Sequence, residues 1–330
     1  MEEQFNHPFS DLTPDILIDA VESQGKLSDG HFLALNSYEN RVYQVGIEGQ
    51  APIIAKFYRP DRWSDAQILE EHEFCFQLQA QELPVVCPML NHQGESISHH
   101  AGFTFALYER QGGHAPELDN LDNLFILGRL LGRFHGVGAC HNFIHRPALD
   151  ISSFGWQSFE LIHEHFIPKE LSVAYETLAL DLLHKMDRVL SNYGPLKLIR
   201  VHGDCHSGNI LWRDNYPHFV DFDDARMAPA IQDLWMLLSG DRHEQTAQMT
   251  ELVEGYNEFY DFDYRQLQLI EVFRTLRIMH HSAWIGRRWT DPAFPRAFPW
   301  FDSPRYWSEH ILALREQLAA FNEPPIEIRL

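Results

Sequence analysis

The stretch 202-HGDCHSGNILWRDNYPHFVDFDD-224 decides the fold of this chain. It places Asp204 five residues before Asn209, and Asp221 follows twelve residues after Asn209. Between Asn209 and Asp221, two short apolar runs flank the turn-forming residues 214–217, which predicts two strands joined by a tight connection. Because an antiparallel pair brings the start of one strand beside the end of the other, we expect Asn209 and Asp221 to be neighbours.

This arrangement of oxygen-bearing side chains is typical of phosphoryl transfer. An amide oxygen and a carboxylate suit Mg²⁺, which keeps several waters and completes its coordination with substrate phosphates. Asp204 follows another short apolar run, 198–201, and is placed to accept the proton of an incoming hydroxyl. A zinc site is the rival interpretation, with ligands His202, Asp204, Cys205 and His206. Magnesium is favoured because the four cysteines of the chain, at 75, 87, 140 and 205, form no C-x-x-C pair.

Composition limits the possible partners. The chain has 330 residues, 45% of them apolar, which is enough for one large or two lobed domains. Its net charge of −21 disfavours nucleic acid and anionic membranes, and cationic or locally basic substrates fit it better. No apolar run reaches the length of a signal core or a membrane span. We therefore expect a cytoplasmic protein, and we also expect it to be a monomer.

A lysine in an unusual position points to an anionic ligand in the N-terminal part. Residues 41–45 and 52–58 flank a Glu-Gly-Gln turn and predict a β-hairpin. Lys56 then lies in the middle of a strand, on the same face as Ile54 and Tyr58. A phosphate is the expected partner of this charge.

The next segment, 64–78, is a capped stretch of good helix formers. One of its acids is expected to pair with Lys56 and direct it toward phosphates, as the lysine of the third strand and the glutamate of the next helix do in protein kinases. Glu71 is favoured, then Glu70, then Glu73, and the sequence leaves all three open.

Residues 102–108 predict a further strand that ends at Glu109 and runs into Gly112 and Gly113. We interpret this point as the hinge between two lobes, where an adenine would meet backbone groups near Glu109. Beyond it, apolar residues recur at helical spacing over 124–134, with Gly128 and Gly132 expected to let a neighbouring helix approach closely. The fold class predicted is α+β, with an ATP-binding antiparallel sheet lobe over 1–110 and a larger, mainly helical, catalytic and acceptor-binding lobe over 111–330.

Longer strings show that the chain resembles the aminoglycoside phosphotransferase and choline kinase family of protein-kinase-like folds. They are H-G-D-x-H-x-G-N-I-L at 202–211, V-D-F-D-D at 220–224, L-G-R-L-L-G-R-F-H at 127–135 and Q-D-L-W at 232–235. Within that family, the strings at 35–44, 56–60, 145–147 and 289–300 resemble bacterial stress-response kinases, which are cytoplasmic serine/threonine protein kinases. The matches run from about residue 35 to residue 300.

The resemblance implies a kinase that uses ATP and Mg²⁺, and it assigns roles to individual residues. These roles are proton acceptor for Asp204, magnesium ligand for Asn209 and Asp221, a catalytic part for Asp221 as well, phosphate anchor for Lys56, a place in the nucleotide-covering turn for Ser37, a supporting role at the metal for Asp223, and a brace of the catalytic loop for Asp233. No G-x-G-x-x-G string covers the phosphates, and 35-LNSYEN-40 stands in its place. Ser37 and Asn40 are therefore the candidates for contacting the nucleotide there.

The identity of the acceptor stays open between two hypotheses. Whole-chain resemblance implies transfer of the ATP γ-phosphate to serine or threonine hydroxyls of proteins in a stress response. However, only residues 222–232 separate Asp221 from Asp233, which is too short for the activation segment of ordinary protein kinases. This feature favours a small-molecule kinase of the aminoglycoside, choline or homoserine kinase type. A non-catalytic nucleotide-binding regulator is a third hypothesis, disfavoured because Asp204, Asn209, Asp221 and Lys56 are all present.

Overall fold

The computed structural model describes residues 7–328, and these residues form two compact units. The first unit contains 7–116, 143–146 and 206–225, and the second contains 117–142, 147–205 and 226–328. The division into lobes at residues 110 and 111 stays a proposal.

An antiparallel sheet with a helix packed on it forms the core of the first unit. Its strands are β1 (Ser28–Ala34), β2 (Arg41–Ile47), β3 (Ile53–Phe57), β4 (Ser98–His100) and β5 (Phe103–Glu109). Their order is β1-β2-β3-β5-β4, and every neighbouring pair is antiparallel. Helix α1 (Pro14–Glu22) buries Leu17 and Val21 against Val45 and Phe57 of this sheet. The predicted β2–β3 hairpin is confirmed, with Val42 opposite Lys56.

Helix α2 (Asp65–Ala80) follows β3 and begins where the sequence predicts. Ser64 closes a capping box, because its backbone N–H donates to the Gln67 side chain at 3.0 Å and its hydroxyl accepts from the Gln67 N–H at 3.4 Å. Such a cap contributes about 1 kcal/mol. Ile68, Phe74 and Leu78 are buried on the inner side of the helix.

A second hairpin in the first unit carries the diagnostic sequence. Its strands are β7 (Ile210–Arg213) and β8 (Tyr216–Phe219), and the strand between β5 and β7, which is β6 (Ile199–Val201), belongs to the second unit. The turn is shorter than the predicted 214–217, because Asp214 and Asn215 both adopt left-handed backbone conformations and reverse the chain in two residues. Pro217 is therefore within β8, opposite Trp212. The backbone of Trp212 bonds instead to His114 on its other side, at 2.7 and 3.1 Å, so proline's missing N–H costs no ladder bond there.

The second unit is mainly helical, as predicted. Its helices are α3 (Leu121–Gly138), α4 (Gln157–His165), α5 (Ser172–Tyr193), α6 (Ile231–Trp235), α7 (Arg242–Asn257), α8 (Ile270–Arg287), α9 (Ala293–Ala297) and α10 (Pro304–Ala320). Strand β6 pairs with β9 (Arg226–Ala228) in a small antiparallel sheet. Within residues 7–328, no helix combines the length and the apolar character that crossing a bilayer requires.

Two glycines of α3 allow a close helix contact in the second unit. Any side chain at Gly128 would overlap the carbonyl of Leu252, and any side chain at Gly132 would overlap the carbonyl of Tyr256. Both carbonyls belong to α7. The prediction that these glycines serve helix packing is confirmed.

Candidate functional site

Lys56 lies at the centre of a charged cluster in the first unit. Its side chain is buried on β3, and Nζ lies 3.0 Å from Asp221 Oδ1 and 3.3 Å from Asp223 Oδ1. Burial by itself would lower the pKa of Lys56, but the negative charges of Asp221, Asp223 and Glu71 outweigh it and raise the pKa well above its ordinary value. Lys56 is therefore a permanent cation inside the unit, available to an anionic ligand.

Of the three acids on α2, the structure brings Glu71 to the lysine. Glu71 is buried, and its Oε1 lies 4.0 Å from Lys56 Nζ. Glu70 is used elsewhere, since its carboxylate accepts backbone N–H bonds from residues 144–146 at 2.6 to 2.9 Å. Glu73 accepts a bond from the Gln77 side chain at the surface. The predicted order, with Glu71 first, agrees with this geometry.

Arg146 is a member of the cluster that the sequence reasoning missed. Its Nη2 donates to Glu71 Oε2 at 2.6 Å, which is a much shorter contact than the one between Glu71 and Lys56. Nη1 donates to the carbonyls of Asp223 and Ala225 at 2.9 and 2.8 Å, and Nε donates to the Gln67 carbonyl at 2.7 Å. Arg146 thus joins helix α2 to the segment that follows Asp221. Its only signal in the sequence was the H-R-P string at 145–147.

Asp223 is fixed by a second missed arginine and by a predicted asparagine. Arg62 Nη1 lies 2.5 Å from Asp223 Oδ2, and its Nη2 donates to Asp224 at 2.9 Å. The Asn40 side chain donates to Asp223 Oδ1 at 3.0 Å. Burial would raise the pKa of Asp223, but the positive charges of Arg62, Lys56 and Arg146 prevail and lower it well below its ordinary value. Asp223 is consequently held as a buried carboxylate.

The turn between β1 and β2 is tied to the same cluster. Glu39 Oε2 lies 3.3 Å from Arg62 Nη1, and Asn40 accepts a bond from the Arg59 N–H at 3.0 Å. Ser37 donates to the Asn40 carbonyl at 3.2 Å, which shapes the turn from within. Asn40 thus links this turn to Asp223 and Arg59 in the structure, and its contact with the nucleotide stays a prediction.

The other predicted residue of this unit, Glu109, ends β5 opposite Ile53 and is exposed. It lies three ladder positions along the strand from Ala106, which is the residue opposite Lys56. The structure therefore places Glu109 at the end of its strand, three ladder positions from the level of Lys56.

The two predicted metal ligands, Asn209 and Asp221, flank the β7–β8 hairpin as expected. The Val220 N–H donates to the Asn209 carbonyl at 3.0 Å, which extends the ladder to the residue before Asp221. Asp221 adopts a left-handed backbone, with φ 60° and ψ 66°, and its side chain is 54% exposed. The following Phe222 packs against Phe74 of α2, with ring centroids 6.3 Å apart. The chain is therefore held on both sides of Asp221 while its carboxylate stays accessible.

The donor set around Asp221 fits magnesium. One amide oxygen and one carboxylate from two neighbouring residues leave most coordination positions to water and phosphate, as Mg²⁺ prefers. Within residues 7–328, no three His, Cys, Asp or Glu side chains are grouped so that they could hold a metal ion by themselves. A site that relied on protein ligands alone, as zinc commonly does, lacks such a group in this part of the chain.

Asp204 belongs to the second unit, where the loop after β6 is braced as predicted. Asp233 is fully buried, and its two carboxylate oxygens accept the backbone N–H groups of His202 at 2.8 Å and Gly203 at 2.9 Å. The ring of His135 lies 3.1 Å from the same carboxylate. Gln232 adds a bond to the Gly203 carbonyl at 3.0 Å. The residues immediately before Asp204 are thus held by two side chains of α6, and His135 of α3 contacts one of these.

The carboxylate of Asp204 also contacts a cation, since Oδ1 forms an ion pair with Nη1 of Arg277 on α8. Sequence reasoning gave no role to Arg277. The two residues lie 73 positions apart, so nothing local in the sequence signalled the contact.

Comparisons with known proteins agree with this geometry. A model of the phosphotransferase enzyme family, APH, matches residues 31–270. Stress response kinase A of Escherichia coli O157:H7 is 43% identical over 321 residues, which cover 97% of each chain. The serine/threonine protein kinase RdoA of Salmonella typhimurium, strain LT2, is 40% identical over the same length and coverage. An amicoumacin kinase solved with AMP-PNP, Ca²⁺ and Ami has a similar fold, with a TM-score of 0.69 at 21% identity over 90% of each chain. The resemblance and the kinase-like fold inferred from the motifs are confirmed.

Proposed function

This chain belongs to the phosphotransferase enzyme family, and from that premise we propose that it transfers the γ-phosphate of ATP, with Mg²⁺, to serine or threonine hydroxyls of proteins. Its high identity to relatives named stress response kinase and serine/threonine protein kinase supports this acceptor class. The name of the first of these relatives supports a part in a stress response. The four cysteines are free thiols, which suits the reducing cytoplasm we propose as its location.

The observation that carries the proposal is the buried cation Lys56 beside an accessible carboxylate. A lysine held by Asp221 and Asp223 at 3.0 and 3.3 Å is fixed in position before any ligand arrives. A cation that is already in position stabilises the charge of a phosphate without any rearrangement of the protein. Lys56 is therefore well placed to hold the phosphates of the nucleotide. Arg62 pairs with the carboxylate of Asp223 and Arg146 donates to its backbone carbonyl, so Asp223 is itself held in place beside Lys56.

In the proposed mechanism, each residue has one task. Asn209 and Asp221 would hold Mg²⁺, which would neutralise charge on the phosphates. Lys56 holds the nucleotide phosphates, with Glu71 as its partner on α2. Asp204 orients the acceptor hydroxyl and takes its proton, which for a general base contributes about 10²- to 10⁴-fold in rate. The bonds from Asp233 to the backbone of the loop keep Asp204 in place.

A small-molecule kinase is the second candidate function. The segment from Phe222 to Gln232 forms a 3-10 turn, strand β9 and the start of α6, so no extended loop follows Asp221. Ordinary protein kinases lay their peptide substrate on such a loop. This feature supports a compact acceptor such as an amino alcohol or a sugar.

A parallel acceptor assay tests both candidates. The protein is incubated with labelled ATP and Mg²⁺, once with a bacterial protein extract and once with a set of small hydroxyl compounds. We expect label on serine or threonine of proteins and none after Asp204→Asn. Label on a metabolite with none on protein would reject the protein-kinase proposal in favour of the second candidate.

Asp214→Asn is the matched control for this assay. It makes the same chemical change in the exposed β7–β8 turn, where the left-handed backbone accepts Asn as readily as Asp. We expect wild-type activity from it. Loss of activity in both variants would show that Asp204→Asn acts through general damage and not through the reacting proton.

A further inference from the structure

The contact between Asp204 and Arg277 places a cation at the group proposed to accept the proton. Arg277 lies on α8, and its guanidinium forms an ion pair with Asp204 Oδ1. The Arg277 side chain is 41% exposed, so it is accessible to a ligand. Because a guanidinium has five N–H donors, it can bind a second anion while it contacts the first.

The face of α8 that continues from Arg277 carries side chains suited to binding a ligand. His281 and Trp284 follow at spacings of four and three residues, so they lie on the same face of the helix. Their rings are roughly parallel, with centroids 5.8 Å apart. The Arg288 guanidinium lies over the Trp284 ring at 5.6 Å. These residues of α8 thus form a cationic and aromatic strip that begins at Arg277, the residue paired with Asp204.

The charge of this region is opposite to that of the whole chain. Residues 277–300 contain four arginines and one acid, Asp291, which is buried. The chain as a whole carries a net charge of −21. Total charge therefore favours cationic substrates at long range, whereas an acceptor beside Asp204 would meet positive charge.

We propose that Arg277 determines acceptor specificity, selecting hydroxyls that lie next to a carboxylate, as in a serine followed by glutamates, over hydroxyls next to an ammonium group. This inference rests on the proposed function and specifies its acceptor class. A cationic acceptor would be repelled by Arg277 and would compete with it for Asp204. An acidic acceptor binds Arg277 with its own carboxylate.

The ion pair also explains how an acidic acceptor makes Asp204 available. The acceptor carboxylate takes over N–H donors of Arg277, and Asp204 Oδ1 is released toward the hydroxyl. Asp204 then accepts the hydroxyl proton as the oxygen forms its bond to the γ-phosphorus. The bond from that phosphorus to the bridging oxygen of ADP breaks, and ADP leaves with the electron pair. The proton on Asp204 is afterwards lost to solvent.

Matched acceptors test the proposal. Two peptides contain the same central serine, followed in one by two glutamates and in the other by two lysines. Glycerate and choline form a second pair, in which a small hydroxyl compound is anionic or cationic. Rates are measured for the wild type, Arg277→Gln, Arg277→Lys and a control, Arg305→Gln, which removes an exposed arginine of α10 that pairs with Glu309. Nucleotide-analogue binding verifies that each variant is folded.

We expect the wild type to use the glutamate peptide about tenfold or more better than the lysine peptide, a typical effect of one charge-assisted hydrogen bond. Arg277→Gln should bring the ratio close to one, mainly by raising KM for the glutamate peptide. Arg277→Lys should keep part of the preference, and Arg305→Gln should keep all of it.

The remaining outcomes separate the two proposals. A wild type that prefers the lysine peptide or choline, or an Arg277→Gln variant that keeps the acidic preference, would overturn the role of Arg277. Transfer to glycerate and not to choline, with neither peptide labelled, would reject the protein-kinase proposal and support the charge rule. Transfer to none of the four acceptors would overturn both.

Discussion

Arg146 offers a sharp test of how the charged cluster is held together. Its side chain is fully buried and makes four hydrogen bonds, of 2.6 to 2.9 Å, to Glu71 and to three backbone carbonyls. The guanidinium also lies 4.8 Å from the centre of the Trp63 ring. Arg146→Met removes the cation and leaves these acceptors without their donor. Loss of one partner of a buried pair costs about 3–5 kcal/mol, and we expect this loss in the free energy of unfolding.

A double substitution separates the ion pair from the other contacts. Glu71→Met alone leaves the Arg146 charge buried without its carboxylate, and it too should be strongly destabilising. With both residues changed to Met, no charge of the pair remains to be desolvated. The double variant should therefore lose less free energy of unfolding than the two single variants together, by about 2 kcal/mol or more. Urea unfolding followed by circular dichroism and by fluorescence gives these values, provided that the two transitions coincide.

An exposed ion pair between an arginine and a glutamate serves as the control. Arg129 Nε lies 2.7 Å from Glu258 Oε2, and both side chains are exposed to solvent. Arg129→Met should therefore cost less than about 1 kcal/mol. The reasoning is refuted if Arg146→Met is as mild as this control, or if the Arg146 and Glu71 substitutions are simply additive.

Three further outcomes follow from the structure. Lys56→Met should weaken binding of a fluorescent ATP analogue by about 10- to 100-fold, the effect of a lost hydrogen bond between charged groups, and unchanged affinity would argue against a phosphate anchor. Asp233→Asn leaves only one oxygen for the two backbone N–H groups it now binds, so kcat should fall at least about tenfold while the Kd for nucleotide stays constant. Burial, with the charges of Lys56 and Arg146, lowers the pKa of His72 from 6.5 to about 3. Below pH 6.5 the unfolded chain therefore binds a proton at His72, whereas the folded chain does not. The free energy of unfolding should then fall by about 1.4 kcal/mol for each pH unit below 6.5, and above that pH His72 causes no such loss. His72→Gln should flatten the profile of urea midpoint against pH in that range, and an equal slope in both proteins would contradict this account.

The parts of the fold that the sequence predicted are those determined by neighbouring residues. The β2–β3 and β7–β8 hairpins, the cap of α2 at Ser64 and the helix-packing glycines of α3 all depend on spacing within some twenty residues. The adjacency of Asn209 and Asp221 followed from the same local logic. The turn at 214–215 was predicted two residues too long, because Tyr216 and Pro217 looked like turn residues, whereas two left-handed residues already reverse the chain.

The parts that the sequence left open depend on contacts between distant segments. Glu70, Glu71 and Glu73 lie on one helix, and only packing decides which of them faces Lys56. Arg146 reaches Glu71 across 75 positions, and Arg62 reaches Asp223 across 161. Contacts between residues so far apart in the chain produce no periodic pattern in a single sequence. Arg277 was missed for the same reason, since α8 meets Asp204 only in the folded chain.

The carboxylate of Glu70 receives three consecutive main-chain N–H groups, those of residues 144, 145 and 146. Successive main-chain amides can bind an anion in this way, and the anion here is supplied by the protein itself. Because recognition is through the main chain, the side chains of positions 144 and 145 contribute nothing to these three bonds, and Ile144 is 85% exposed. Substitutions at those two positions should therefore leave the three bonds intact, and one acid contributes much of the hydrogen bonding that holds a peptide stretch without regular secondary structure.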